Sequence, residues 1–119
     1  MRRIIKTIMS FASALCPCAL LFACASNNHR EFDESALWID VRTAQEFESG
    51  HIEGAINIPY DVIAENIAGV APDKSAPIRL YCRSGRRSGI AQKTLAKLGY
   101  TDLVNEGGYK DVLARYQKK

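Results

Sequence analysis

The sequence is poor in the residues that bind metal ions or form disulfide frameworks. Its 119 residues include two histidines and four cysteines, and no two cysteines form a Cys-x-x-Cys pair. Structural zinc sites use four cysteine or histidine ligands at close spacings, so the sequence predicts no metal site, and it indicates no cofactor. Cys16, Cys18 and Cys24 lie within the first 24 residues, which leaves Cys82 alone in the rest of the chain and excludes a disulfide framework there.

Beyond its first residues the chain also lacks an excess of charge of either sign. The formal net charge is +3, but Arg2, Arg3 and Lys6 lie in an amino-terminal segment that has no acidic residue. Residues 25–119 therefore hold 13 basic and 13 acidic side chains. A balanced charge provides no long-range attraction toward a polyanion. The sequence therefore gives no support for nucleic acid as a partner.

Residues 1–24 have the composition of an export signal, because basic residues precede an uncharged stretch over Thr7–Ala23. Leu20–Cys24 is similar to a lipobox, which predicts lipidation of Cys24 and a lipid anchor in the membrane. Small residues on both sides of Cys24 also permit ordinary signal cleavage, so a soluble product stays open. We favour the lipoprotein, with residues 25–33 as a polar tether. Since no aspartate follows Cys24, we expect a bacterial cell-envelope protein that faces the periplasm from the outer membrane.

Residues 34–117 are predicted to form one α/β domain in which strands and helices alternate. The predicted strands are Leu37–Val41, Ala55–Ile58, Ile78–Cys82 and Leu103–Val104, and the predicted helices start at Thr43 and cover Tyr60–Gly69, Ser88–Leu98 and Tyr109–Gln117. The first helix opens with a capping box of Thr43 and Glu46 and is expected to turn Phe47 inward. This alternation favours a small, mostly parallel sheet with helices on both faces.

A cysteine at the end of an apolar strand begins the stretch that carries the chemistry. Three arginines follow Cys82 within five residues, and the loop leads into the first turn of a predicted helix. Nearby cations and a helix N-terminus both stabilise a thiolate and lower the thiol pKa. Gly85 permits backbone conformations in which successive N–H groups turn inward around an anion. Alternatively, Cys82 is a buried structural cysteine. The arginines, serines and glycine that follow it are untypical of a core and favour a nucleophile.

Four motifs, in this order along the chain, resemble those of the rhodanese domain. They are Asp40–Arg42, Gly50–Pro59, Cys82–Ser88 and Asn105–Tyr109, and the resemblance spans residues 38–116. It implies the rhodanese-like three-layer sandwich and a monomeric thiosulfate sulfurtransferase. In such an enzyme Cys82 is the catalytic residue, which takes a sulfane sulfur from a small anionic donor and passes it as a persulfide to cyanide or a thiol acceptor. The implied donor-binding residues are those of the loop, Arg83, Ser84, Gly85, Arg86 and Arg87, with Arg87 the most important arginine.

The resemblance also bears on residues outside the loop. Asp40 and Arg42 either hold the strand exit as an ion pair or contact the substrate, and we favour the structural role, more firmly for Asp40. His51 is expected to belong to the scaffold and not to act as a base. Tyr109 stands where the family often has Trp. Glu106–Gly108 is either a plain turn or a segment whose glycines let the backbone pass close to the active loop.

Two alternatives to a sulfurtransferase remain open. Related dual-specificity phosphatases place an arginine six residues after the cysteine, whereas here position 88 is Ser and the arginine is Arg87. The shorter loop should fit a sulfur atom better than a tetrahedral phosphate, so a phosphatase is disfavoured. The second alternative is a sulfur carrier or binding module without turnover. Inactive rhodanese-like binding modules normally lack the cysteine, so Cys82 argues against an inactive binding module without excluding it.

Overall fold

The structure is a computed structural model that describes residues 31–116. Four strands form one parallel sheet in the order β2-β1-β3-β4. The strands are β1 (Leu37–Asp40), β2 (Ile56–Asn57), β3 (Ile78–Cys82) and β4 (Leu103–Gly108). The helices are α1 (Ala44–Glu48), α2 (Ile63–Val70), α3 (Arg86–Lys97) and α4 (Tyr109–Tyr116), with a short 3₁₀ helix at Tyr60–Val62. The predicted α/β class is confirmed.

The sheet is buried on both faces, which explains its apolar strands. On one face, Ile39 and Leu80 of the sheet belong to a cluster that includes Ile67 of α2 and Leu95 of α3. On the other face, Trp38 and Tyr81 pack with Val112 of α4. Neighbouring residues of one strand thus enter different clusters, because successive side chains point to opposite faces. This confirms the predicted layers of helices on either side of a small parallel sheet.

Parallel pairing places the carboxyl ends of the strands along one edge of the sheet. Asp40 lies opposite Tyr81 in the β1–β3 pair, and Cys82 lies opposite Gly108 in the β3–β4 pair. The loops that follow β1 and β3 and the last residues of β4 therefore meet at this edge. Open α/β sheets bind their ligands at such an edge, so the fold brings three of the four sequence motifs to one place.

Two elements differ from the sequence-based predictions. β4 extends to Gly108 and not only to Val104. Its backbone continues to pair with β3 after a bulge at Glu106, the residue of β4 that has no partner between Leu80 and Tyr81. A run of Asn, Glu and two Gly has no strand pattern, so only the neighbouring strand reveals it. The prediction that Phe47 faces inward is wrong: α1 has no buried residue, and the Phe47 ring stacks on His51 with 3.6 Å between ring centroids.

A buried ion pair fixes the exit of β1. The Asp40 carboxylate accepts hydrogen bonds from Nε and Nη2 of Arg42 at 2.9 and 2.6 Å, and both side chains are almost completely buried. Arg42 Nη2 also donates to the Gly50 carbonyl at 2.7 Å, and the guanidinium lies 4.5 Å from the centroid of the Tyr109 ring. All of these contacts are internal. Asp40 and Arg42 therefore have the structural role that the sequence favoured.

The first described residues pack against the sheet. Phe32 stacks on Trp38 with 4.6 Å between ring centroids, and the Trp38 indole donates to the Asp33 carbonyl at 3.0 Å. The last two residues of the predicted tether are thus in contact with the domain. The predicted signal segment and Cys24 lie outside the described residues. Among residues 31–116, no helix has the length and apolar character needed to span a membrane.

The end of β4 passes directly beneath the loop that follows Cys82. An ideal Cβ on Gly108 would lie 2.5 Å from the carbonyl oxygen of Arg83 and 3.4 Å from Cα of Ser84. Backbone atoms cannot move aside as a flexible side chain can. Of the two roles considered for this segment, close backbone passage is the one found, and Gly108 is the residue that permits it.

We expect Gly108→Ala to destabilise the domain, whereas Gly69→Ala in α2 should not. The added Cβ at Gly108 displaces the Arg83 backbone, and overpacking of this kind costs about 1–3 kcal/mol. A Cβ at Gly69 meets no heavy atom within 4 Å, and alanine in a helix should be about 0.5–1 kcal/mol more favourable than glycine. Urea unfolding of both variants gives the free energies of unfolding. Equal stabilities would contradict the close approach.

Candidate active site

Cys82 is the last residue of β3, and its surroundings combine apolar packing with polar donors. The residue has no exposed surface and belongs to the apolar cluster shared with Ala91 of α3. Above the sulfur the chain turns back, and the Gly85 N–H donates a hydrogen bond to Sγ at 2.9 Å. The Ser88 hydroxyl lies 3.4 Å from the same atom. The expected N–H donor is present, but the sulfur is covered and not open to solvent.

The donors outweigh burial in setting the ionisation of this thiol. Burial by itself raises the pKa of Cys82, because a charged sulfur loses its hydration. Hydrogen bonds from the Ser88 hydroxyl and from the N–H groups of Ser88, Gly85 and Ser84 lower it further than burial raises it. The net effect is a thiol pKa below its ordinary value. The donors therefore make the thiolate easier to form at a position that has no exposed surface.

Glycine conformation shapes the turn above the sulfur. Gly85 has φ of +100° and is the N-cap of α3, where no side chain caps the helix. A left-handed residue at this point directs the following N–H groups toward the strand end. Cys82 Sγ thus occupies the place of the missing cap, and the positive end of the helix dipole of α3 faces it. This arrangement stabilises a thiolate without the need for an adjacent base.

The three loop arginines have different environments. The Arg87 guanidinium forms a two-pronged ion pair with Glu46 of α1, with N–O distances of 2.9 and 3.1 Å. Arg83 has an exposed side chain whose Nη1 lies 3.8 Å from the Glu46 carboxylate. Arg86 is exposed and forms no ion pair with the described residues. Arg87, which the sequence favoured as the main anion contact, is already paired with a carboxylate.

Glu46 is a residue of this site that sequence reasoning missed. The hydrogen bonds from Arg87 lower the pKa of Glu46 to about 2, so its carboxylate is charged at all ordinary pH values. The same carboxylate accepts the Thr43 N–H at 3.0 Å and completes the capping box of α1. The capping box was readable from spacing, whereas a pair with an arginine 41 residues further along the chain was not.

Ser88 and Asn105 also belong to the site, although the sequence assigned neither of them a role. Ser88 Oγ lies 2.7 Å from Asn105 Oδ1, and Asn105 Nδ2 donates to the Gly85 carbonyl at 3.1 Å. Both residues stood in motifs that were recognised, but neither is charged or nucleophilic. Only the approach of β4 to the loop brings Asn105 near the thiol.

The remaining candidates are clearly placed. The His51 ring stacks on Phe47, and its Nδ1 lies 2.8 Å from the Phe47 carbonyl oxygen, which fits the expected scaffold role. Ser84 is exposed beside the sulfur, where its N–H is one of the donors. In the part of the chain that the structure describes, no group of three or more His, Cys, Asp or Glu side chains could hold a metal ion. The site contains a single ionisable sulfur and its donors.

Comparisons with known proteins agree with this geometry. The sequence profile of the rhodanese-like domain matches residues 25–115. The chain is 45% identical to the thiosulfate sulfurtransferase PspE of Escherichia coli over 75 residues, which cover 63% of this chain and 72% of that protein. It is 34% identical to the thiosulfate sulfurtransferase GlpE of Pseudomonas putida over 84 residues, covering 70% of this chain and 74% of that one.

Among solved structures, a rhodanese from E. coli determined with anions has a TM-score of 0.62 and 45% sequence identity. It covers 64% of this chain, which in turn covers 89% of that one. The profile match extends over most of the chain and includes the Cys82 loop, Glu46 and Asn105. The chain therefore belongs to the rhodanese-like family and is an enzyme of the sulfurtransferase type.

Proposed function

We propose that the protein moves a sulfane sulfur from thiosulfate, or a similar anionic donor, to a thiophilic acceptor through a Cys82 persulfide. The observation that carries this proposal is the Sγ atom of Cys82, held 2.9 Å from the Gly85 N–H at the start of α3. A sulfur that exchanges between thiolate and persulfide needs donors that stabilise negative charge, and it needs no general base. The similarity to thiosulfate sulfurtransferases supports the choice of donor.

In the first step the Cys82 thiolate attacks the outer sulfur of thiosulfate. A bond forms between Sγ and that sulfur, the bond from the outer sulfur to the sulfonate breaks, and sulfite leaves with the electron pair. The product is an anionic persulfide on Cys82, so the total charge is unchanged. The Gly85 N–H lies 2.9 Å from Sγ, and we expect the N–H groups of the turn to stabilise the negative charge of the persulfide once the turn has closed over it.

In the second step a nucleophile removes the outer sulfur. Cyanide, or the thiolate of an acceptor, forms a bond to that sulfur while the bond to Sγ breaks, and Cys82 leaves as a thiolate. The donors that lower the pKa of Cys82 make it a better leaving group in this step. The same set of N–H groups therefore serves both half-reactions.

The arginines supply the field that attracts an anionic donor. Arg83 and Arg86 are exposed at the rim of the loop, whereas Arg87 shares its charge with Glu46. A dianionic donor at the loop can use Arg87 only together with, or in competition with, that carboxylate. Because Cys82 has no exposed surface, donor binding also requires the turn to move away from the sulfur.

Incubation of the full chain with thiosulfate should add the mass of one sulfur atom at Cys82. Intact mass, followed by mass spectrometry of tryptic peptides, locates the added sulfur, and Cys82→Ser should abolish it. Cyanide should then remove the sulfur as thiocyanate. The absence of a Cys82 persulfide would contradict the mechanism, while a persulfide that no acceptor removes would indicate a sulfur carrier.

Arg87→Ala should raise KM for thiosulfate about tenfold, a loss of about 1.4 kcal/mol, and change kcat much less. The guanidinium is expected to contribute to donor binding and not to bond cleavage. Lys93→Ala is the matched control, since it removes one exposed charge from the same helix and should leave KM unchanged. An Arg87→Ala enzyme with the KM of the parent protein would refute this role.

We further propose that the chain is exported and anchored in the bacterial cell envelope through lipidated Cys24, facing the periplasm. The support is the uncharged stretch before Cys24, its small neighbours and the polar residues that follow. In a bacterial host given labelled palmitate, the parent chain should become labelled and Cys24→Ala should not. An exported but unlabelled protein would favour ordinary signal cleavage.

A further inference from the structure

A bulge in β4 directly follows Asn105, whose side chain lies on the face of the sheet that α3 covers. Leu80 of β3 lies opposite Asn105, but the next residue, Tyr81, lies opposite Gly107, so Glu106 is an extra residue in β4. Bulges of this kind reorient side chains and occur often beside active sites. Asn105 is the last regularly paired residue before this bulge, and it contacts Gly85 and Ser88 of the active loop.

The hydrogen bonds of the Asn105 amide fix its orientation. The Gly107 N–H, which can only donate, lies 3.0 Å from Oδ1, and the Gly85 carbonyl, which can only accept, lies 3.1 Å from Nδ2. An exchange of the amide oxygen and nitrogen would break both bonds. The atom that Asn105 presents to Ser88 is therefore an acceptor, Oδ1.

The Ser88 hydroxyl has one proton and three acceptors within reach. Oγ lies 2.7 Å from Asn105 Oδ1, 3.2 Å from the Gly85 carbonyl and 3.4 Å from Cys82 Sγ. Ser88 has no exposed surface, so bulk water does not compete for the proton. The shortest contact favours Asn105 while the sulfur is neutral, whereas a charged sulfur is the stronger attraction because charge-assisted hydrogen bonds are about twice as strong as neutral ones.

We propose that Asn105 is a positioning residue for sulfur transfer, which accepts the Ser88 hydroxyl proton while Cys82 Sγ is neutral and releases it to Sγ when that atom is charged. The O–H bond only rotates, and no proton leaves Ser88. This inference rests on the proposed function in one respect, the alternation of Sγ between a thiolate and a neutral, sulfur-bonded state.

The rotation follows the charge through the cycle. In the free thiolate, Ser88 donates to Sγ. Once the persulfide has formed, the charge lies on the outer sulfur and the hydroxyl returns to Asn105. When the acceptor takes the outer sulfur, Sγ again becomes charged and regains the hydroxyl donor. Asn105 thus sets how readily Ser88 supports Cys82 as a nucleophile and as a leaving group.

Two substitutions of Asn105 should shift the ionisation of Cys82 in opposite directions. Asn105→Leu removes the competing acceptor and leaves little room for water, so the hydroxyl should favour the sulfur and the thiol pKa should fall, with about threefold more thiolate below the pKa. Asn105→Asp offers a stronger acceptor, so the pKa should rise, with about tenfold less thiolate. The rate of alkylation of Cys82 by iodoacetamide against pH, followed on its tryptic peptide in the full chain, measures both.

The directions of the two pKa shifts distinguish a positioning role of Asn105 from a purely structural or purely electrostatic one. If Asn105 only supported the loop, both substitutions would raise the pKa of Cys82. If only the charge at position 105 mattered, Asn105→Leu would leave the pKa of Cys82 at the parent value. Either result overturns the proposal. Asn66→Asp, an identical change at an exposed position of α2, is the control and should have no effect. In a Ser88→Ala background the shift caused by Asn105→Leu should vanish, and its persistence would also overturn the proposal.

The experiment separates this inference from the proposed function. Alkylation requires no sulfur donor, so opposite shifts in a protein that forms no persulfide would support Asn105 and refute the transfer mechanism. A persulfide in the parent chain, together with Asn105 variants whose Cys82 pKa is unchanged, would support the transfer mechanism and refute the role of Asn105. If circular dichroism shows that Asn105→Leu is unfolded, Asn105→Val, which also fills the space of the amide without an acceptor, replaces it, with a lowered pKa again expected and an unchanged or raised pKa overturning the proposal.

Discussion

The ionisation of one buried sulfur depends on hydrogen-bond donors at the start of α3, first the Ser88 hydroxyl and then the backbone N–H groups. Burial alone would raise the pKa of the Cys82 thiol, because a desolvated thiolate is costly. The structure offsets this with a Gly85 N–H at 2.9 Å, further donors from Ser84 and Ser88, and the dipole of α3. The end of β3 and the turn at Gly85 keep these groups close to Sγ. Cys82 lies at the end of a strand of the parallel sheet, and the left-handed conformation of Gly85 lets the chain turn back over its sulfur.

The loop in turn depends on β4, which lies beneath it. Gly108 has no side chain where the Arg83 carbonyl approaches, and the Asn105 amide donates a hydrogen bond to the Gly85 carbonyl. The last residues of β4 are therefore part of the active site, although they carry no charge and no nucleophile. Loss of either feature would leave the amides without a fixed direction, and fixed direction is what makes such donors effective.

Two of the loop arginines are exposed and can attract an anion, whereas the third is held in an ion pair. Arg83 and Arg86 are exposed, while Arg87 is paired with Glu46, whose carboxylate also caps α1. One carboxylate thus ties a neighbouring helix to the active loop and reduces the positive field near the sulfur. This arrangement suits a reaction in which an anion must enter and another must leave, because an unrestrained cluster of arginines would hold sulfite as well as the donor.

The sequence by itself determined the α/β class, the strand that ends at Cys82, the capping box at Thr43 and the sulfurtransferase family, because each depends on local pattern or on motifs in order. Only the tertiary structure decided that β4 reaches Gly108, that Phe47 stacks outside on His51, and that Arg87 is paired with Glu46. It also decided that Cys82 is covered and that Asn105 meets Ser88. These outcomes depend on contacts between residues far apart in the chain, such as Glu46 with Arg87 and Gly85 with Asn105, which leave no local signal.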